Sequence, residues 1–106
     1  MGKILQDRLA LHEILCEILN SRNVYFQPPS SILMSYPAIR YERVKVTSNF
    51  ADNSDYFNHV RYQLTLISRD PDNDGLIEAI MALPLCGYDR SYAADNLNHD
   101  VFTIYV

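Results

Sequence analysis

Apolar residues near the start of the chain recur at every third or fourth position, as they do along one side of an α-helix. The pattern runs from Ile4 to Leu19 and predicts one amphipathic helix of about four turns, ended by the polar stretch 20–23. The apolar arc is wider than packing against a single sheet requires. We therefore expect part of this helix to contact a second subunit.

Alternation of apolar and polar residues with period two predicts strands further along the chain. The pattern is clearest in the last half of 38–46 and throughout 60–68, where Val60, Tyr62 and Leu64 share one face with Leu66. The five predicted strands are residues 24–26, 38–46, 60–68, 88–92 and 101–106.

A second, shorter helix is predicted over residues 76–83, because candidate N-cap residues precede it and Pro84 follows it. The order along the chain is then α-β-β-β-α-β-β. The simplest arrangement that covers the apolar sides of both helices is a mostly antiparallel sheet with both helices on one face. The sequence thus predicts a single α+β domain over residues 1–106.

Two connections of this fold are polar. Residues 48–58 join the predicted strands 38–46 and 60–68 and also contain Phe50, Tyr56 and Phe57, which predicts a long hairpin with an aromatic tip. A connection of this length in a small domain is usually disordered or functional. The stretch 95–100 is predicted as a polar loop between the last two strands.

Composition excludes several classes of function. A chain of 106 residues with 48% hydrophobic residues is the size of one compact domain, with little volume for a deep active site. Thirteen acids against nine bases leave no surplus charge to neutralise phosphates, which disfavours tight binding of DNA or RNA. No apolar stretch approaches the ~20 residues of a membrane span, and the start does not resemble a secretory signal. We expect a cytoplasmic product in which Cys16 and Cys86 stay reduced.

Three aspartates and a glycine resemble the first half of an EF-hand calcium loop: Asp70, Asp72, Asp74 and Gly75. The second half does not match, since the position of the bidentate glutamate is occupied by Met81. Acids before a helix are already explained by capping and by the helix dipole. We favour that structural interpretation over calcium binding.

Two other sets of residues contain the side-chain types of a metal site or of a catalytic site. A zinc site would draw on His12, Cys16, Cys86 and His99, and an acid–base cluster on Asp89, Arg90, His99 and Asp100. Neither set follows a known metal or catalytic motif, so we favour ordinary turn, helix and strand roles. The prediction is a protein that is not an enzyme and needs no metal or cofactor.

Aromatic residues point to an assembly protein. Eight tyrosines and four phenylalanines exceed what so small a core can enclose, and such residues are enriched at protein interfaces. The candidate interface residues are Phe50, Tyr56, Phe57, Phe102 and Tyr105.

Three segments carry a family resemblance that spans nearly the whole chain. They are residues 23–29 (NVYFQPP) leading to 36–41 (YPAIRY), residues 61–72 (RYQLTLISRDPD), and the stretch from 83 to 102. In pattern and order they resemble the small tail-terminator proteins, also called tail-completion or head–tail joining proteins, of long-tailed, non-contractile bacteriophages.

The resemblance implies a structural virion protein, made in the host cytoplasm, that forms a homo-oligomeric ring of about six copies on the head-proximal end of the tail tube. Its partners would be the major tail-tube protein and the head connector or stopper. It would end tube polymerisation and let DNA pass through the ring. Because carboxylates repel phosphates, the lumen or rim candidates are Asp52, Asp55, Asp70, Asp72 and Asp74.

The alternatives are another neck protein, such as a stopper or adaptor, a small metal-dependent nuclease, and a monomeric regulatory binding module. The nuclease would need acids clustered around Mg²⁺. The monomeric module would remain a single 12 kDa species at all concentrations.

Overall fold

The computed structural model describes the backbone of residues 2–51 and 55–106 and the side chains of residues 2–46 and 60–106. The elements are α1 (Lys3–Leu19), β1 (Val24–Phe26), β2 (Ala38–Ala51), β3 (Asp55–Ser68), α2 (Asp74–Met81), β4 (Cys86–Ala94) and β5 (Leu97–Tyr105). They form one five-stranded sheet in the order β1-β2-β3-β5-β4, in which only the β1–β2 pairing is parallel. The predicted α+β class and the predicted element order are confirmed.

The hydrophobic core lies between the two helices and one face of the sheet. Leu11, Leu15 and Leu19 follow each other at intervals of four, so they lie along one side of α1, and each is at most 7% exposed. From α2 the core receives Ile80, which is completely buried. The sheet contributes Val24, Ile39, Tyr41, Val60, Tyr62, Leu64, Leu66, Phe102 and Ile104.

Three aromatic rings form the part of the core beneath the middle of α1. The Tyr41 ring centroid lies 5.0 Å from that of Phe26 and 6.0 Å from that of Tyr62, in tilted and edge-on geometries that aromatic pairs prefer. These rings belong to three adjacent strands, β1, β2 and β3. Their contacts join the short parallel edge strand to the centre of the sheet.

The opposite side of the sheet, here called the open face, carries neither of the two helices that the structure describes. Arg40, Glu42 and Lys45 of β2 lie on it, as does Arg61 of β3. Near the other end of the sheet the Tyr92 ring stacks on His99, with centroids 4.6 Å apart. None of the described helices is long and apolar enough to cross a membrane.

The predicted connection 48–58 is mostly strand. β2 continues to Ala51 and β3 begins at Asp55, with the two strands paired in register up to that point. The polar composition of this segment is typical of a loop. Antiparallel strands are joined by backbone N–H and C=O groups, however, so polar residues can also form a strand pair. The intervening residues 52–54 lie outside the described chain.

The predicted polar loop 95–100 is also wrong. β5 begins at Leu97, and the turn from β4 consists of Asp95 and Asn96, whose φ angles are 53° and 62°. Aspartate and asparagine tolerate this left-handed backbone, which a tight two-residue hairpin turn requires. Asp100, predicted in the loop, is a strand residue that is 9% exposed and accepts a hydrogen bond of 2.7 Å from the Tyr88 hydroxyl.

Tyr41 and Tyr62 provide a matched test of this core, because both rings are buried while their hydroxyls differ. The Tyr41 hydroxyl is hydrogen-bonded to two side chains of α1, whereas the buried Tyr62 hydroxyl has no hydrogen-bond partner among the described residues. An unpaired buried hydroxyl costs about 1–3 kcal/mol, so we expect Tyr62→Phe to raise the free energy of unfolding by up to about 1 kcal/mol. Tyr41→Phe should lower it by about 1 kcal/mol.

Urea unfolding of both variants and the wild-type chain at one pH measures this difference. If Tyr62→Phe destabilised the chain as much as Tyr41→Phe does, the two hydroxyls would be equivalent and the assignment of the Tyr62 hydroxyl as unpaired would be wrong.

Candidate functional site

The most connected polar group lies between α1 and β2. The Tyr41 hydroxyl donates to His12 Nδ1 at 2.7 Å and accepts from Arg8 Nη1 at 3.2 Å. Arg8 and His12 are four residues apart on α1, so both reach the same point of the sheet. The Arg8 guanidinium also lies 4.1 Å from the ring centroid of Phe26 in a cation–π contact.

The protonation states fit this geometry. Burial lowers the pKa of His12, and the positive charge of Arg8 lowers it further, which favours the neutral imidazole that accepts a hydrogen bond from the Tyr41 hydroxyl. Burial raises the pKa of Tyr41, which keeps the hydroxyl protonated. The Tyr41 hydroxyl thus acts both as a donor and as an acceptor inside the fold. The group joins the first helix to the sheet.

The residues of the predicted acid–base cluster do not come together. His99 and Asp100 are neighbours on β5 and therefore point to opposite faces of the sheet. Asp100 bonds Tyr88 on the helix side, while His99 stacks on Tyr92 on the open face. Asp89 and Arg90 form an exposed ion pair with each other. The arrangement offers no common site for proton transfer by these four side chains.

The residues considered as metal ligands have other contacts. His12 is bonded to Tyr41, and neither Cys16 nor Cys86 is in a disulfide. In residues 2–46 and 60–106, no three histidine, cysteine, aspartate or glutamate side chains converge as metal ligands would.

Among the predicted interface residues, the prediction for Phe102 is wrong. It is completely buried, with its ring packed edge-on against Tyr88 at 5.3 Å, so it belongs to the core and is not available to a partner. The alternation of the last strand placed it correctly, but the sequence does not say which face the helices cover. Tyr105 is 44% exposed and stays a prediction. The side chains of Phe50, Tyr56 and Phe57 lie outside the described residues.

Of the predicted lumen acids, three have described side chains and two do not. Asp70 and Asp72 are exposed in the turn between β3 and α2, and Asp74 is exposed at the first residue of α2. An Asp70 carboxylate oxygen accepts from the Asp72 amide at 2.9 Å. These acids are thus partly used to shape the turn before α2. Asp52 and the side chain of Asp55 lie outside the described residues.

Sequence reasoning missed a basic patch on the open face. Lys45 and Arg61 are directly opposed on β2 and β3, and Arg40 lies further along β2 on the same side. Like charges facing each other across two strands repel, and the ion pairs within the described side chains involve other residues. Glu42 is the acid nearest to them along β2. The net charge of −4 concealed this patch, because only the strand register assigns residues to faces.

An apolar groove opens where α1 meets the end of β5 and the segment before β4. Its volume is about 230 Å³, and the side chain of Asp7 borders it. The apolar groove is lined by Ala10, Leu11, Ile14, Leu83, Pro84 and Tyr105. Part of the wide apolar arc of α1 is therefore not covered by the sheet, as Ile14 shows with 41% of its surface exposed.

A second apolar feature lies at the other edge of the sheet. Residues 28–37, here called the projecting loop, follow edge strand β1 and contain no charged residue. Leu33 in its middle is 93% exposed, and its neighbour Ile32 is 39% exposed. Two consecutive exposed apolar residues followed by the half-buried Met34 give this loop an apolar surface.

The third feature is the end of the β2–β3 hairpin. Residues 47–51 and 55–59, here called the arm, pair only with each other in the described sheet, because β5 pairs with β3 from Arg61 and β1 reaches only Tyr41. Five residue pairs extend the arm by about 17 Å beyond the body of the sheet.

Comparison with protein-family models and with the curated proteins found no match to this chain.

The His12 contact predicts a pH dependence of stability. The imidazole pKa is lower in the folded chain than its unfolded value of about 6.5. Below that pH the unfolded chain takes up a proton that the folded chain resists, so stability is complete above pH ~6.5 and falls as the solution becomes more acidic. His12→Gln should lose less stability between pH 7.5 and pH 5.5 than the wild-type chain does.

Urea unfolding at the two pH values measures the effect, and His99→Gln is the control because that imidazole lies on the open face. An equal loss in the wild-type chain and in His12→Gln would contradict the assignment of a neutral His12.

Proposed function

We propose that this chain is a structural virion protein that assembles as a ring on the head-proximal end of a phage tail tube, ends tube polymerisation and joins the tail to the head connector. The observation that carries the proposal is the exposure of large apolar side chains at two opposite edges of the sheet. Leu33 lies beside β1, and Leu85, which is 71% exposed, precedes β4.

Exposure at opposite edges favours a subunit with two neighbours. Burying one large apolar side chain is worth about 1.5–3 kcal/mol, so covering both edges would stabilise an assembly substantially. A single two-fold contact would cover one edge and leave the other in water. Repeated contacts between different edges generate a ring when the rotation closes.

The arm supports the same conclusion. A two-stranded hairpin without a third strand or a covering helix is at best marginally stable in water. We therefore expect the arm to pack against a neighbouring subunit or the tail tube, which is the role predicted for residues 48–58 and for Phe50, Tyr56 and Phe57. Each of those aromatic residues lies within the strand segments of the arm.

The acidic turn fits a ring through which DNA moves. Asp70, Asp72 and Asp74 place three exposed carboxylates in one short segment, and symmetry would repeat them around a rim. Carboxylates at a passage repel phosphates, so DNA would slide without being held.

A stopper or adaptor would share these features, and the position of the gene separates the possibilities within this class. A gene just before that of the major tail-tube protein favours tail completion.

The basic patch favours a second candidate of a different class, a monomeric module that binds an anionic partner. Lys45 and Arg61 repel each other across the strands, and an anion between them would relieve that repulsion. This candidate requires a single 12 kDa species at every concentration.

Light scattering across a concentration series, with and without tail-tube protein, distinguishes the two candidates, and electron microscopy of the same samples detects rings directly. We expect rings, alone or on tube ends, and tubes of limited length. Monomers that neither bind tube ends nor limit tube length would overturn the proposal.

Shortening the arm tests its role. In the proposed variant residues 47–59 are replaced by Asn-Gly, which joins the paired residues Val46 and Val60 by a two-residue hairpin turn. Because the core lies outside the arm, we expect a folded chain with nearly unchanged thermal unfolding that no longer limits tube length. A milder variant with residues 50–56 replaced by Asn-Gly keeps three of the five residue pairs of the arm and serves as a control. Normal tails from the variant that lacks residues 47–59 would refute the role of the arm.

A further inference from the structure

The exposed leucine beside edge strand β1 and the apolar groove by the end of β5 are complementary in chemistry. We infer that Leu33 of one copy inserts into the apolar groove of the next copy, so that subunits join head to tail. This inference rests on the proposed ring and names the contact that would build it.

The projecting loop is held in place at several points. The Ile32 amide donates to the Pro29 carbonyl at 3.1 Å, and the Ser35 amide donates to the Tyr25 hydroxyl at 3.4 Å. Two consecutive prolines at its start further restrict the backbone. Leu33 therefore protrudes from a restrained loop, which reduces the entropy lost when it is bound.

The apolar groove has the size and the lining for such a side chain. A dry apolar cavity of about 150 Å³ accommodates a benzene molecule, and the groove offers about 230 Å³. The isobutyl group of a leucine is smaller than benzene, so part of Ile32 fits as well. Leu11 and Ile14 of α1 form one wall and Leu83 forms the other.

The charges around the two features are also complementary. Asp7 borders the apolar groove, and its side chain remains 41% exposed beside its exposed ion pair with Lys3 of the same helix. Next to the projecting loop, the Arg69 guanidinium lies 6.0 Å from the ring centroid of Tyr36. Insertion of the loop of one copy would bring an exposed arginine toward the carboxylate side of the next, and charges of opposite sign at a rim set orientation.

The two features lie apart on each copy. The projecting loop follows β1, while the groove lies by the end of β5, three strand spacings or about 14 Å away across the sheet. In the inferred contact, which is heterologous, each copy uses its loop on one neighbour and its groove on the other. A reciprocal two-fold contact between the same two features would stop at dimers, so wild-type species larger than dimers distinguish the two symmetries.

Two substitutions test the two halves separately. Leu33→Asp removes the inserted side chain, and Ala10→Glu places a charge in the groove at an exposed helix position where glutamate is a good helix former. Loss of one buried leucine should weaken each contact roughly tenfold to hundredfold. Ser31→Asp is the matched control, because it adds the same charge to the same loop at an exposed position without removing an apolar contact.

Light scattering of each variant, and of an equal mixture of the two, gives the decisive result. Leu33→Asp and Ala10→Glu should each remain monomeric where the wild-type chain and Ser31→Asp associate. Their mixture should form dimers only, because one intact loop and one intact groove remain available between them.

If Leu33→Asp associated as strongly as the wild-type chain, or if the mixture stayed monomeric, the inference would be overturned. The proposed ring would then remain, with a different contact between subunits. A wild-type chain that is monomeric in solution would overturn the inference, and the proposed function would then depend on the separate test at tube ends.

Discussion

The packing of α1 against the sheet is the interaction on which the rest of this structure depends. A line of leucines on the helix shares one core cluster with the rings of Tyr41 and Tyr62, and the Arg8 and His12 side chains bond the Tyr41 hydroxyl. Apolar burial supplies the free energy of this contact, while the polar group sets the position of the helix along the strands. Once α1 is placed, the uncovered areas of the sheet follow.

The largest of those areas, the arm, arises from a mismatch in length. Fourteen-residue strands such as β2 and β3 extend about 46 Å, whereas the 17-residue α1 is about 25 Å long and the eight-residue α2 about 12 Å. The helices therefore cannot reach the far end of the hairpin. The open face has a different origin, since both described helices pack on the opposite side of the sheet, and Ala38, Thr65 and Val101 are nevertheless buried on it.

The net charge of the chain does not describe the charge of its individual surfaces. Net charge argues against contact with polyanions, yet strand register collects Arg40, Lys45 and Arg61 on one face while acids such as Asp70 and Asp72 occupy a turn. The candidate site was accordingly harder to predict than the fold. Aromatic residues predicted in loops and the wide apolar arc of α1 both indicated assembly. Leu33 and the other wall of the groove had no signal in sequence, since a groove requires elements distant along the chain to meet.

Local periodicity determined the element types and their order, because a helix or strand with one buried side must repeat its apolar residues at its own spacing. It also placed Val60, Tyr62, Leu64 and Leu66 on a common face, and these residues form the core. Tertiary structure alone decided the strand order, the burial of Phe102, the strand character of 97–100 and the location of the groove. These depend on which strands pair and which face the helices cover, and that choice is made by contacts between residues far apart in the chain.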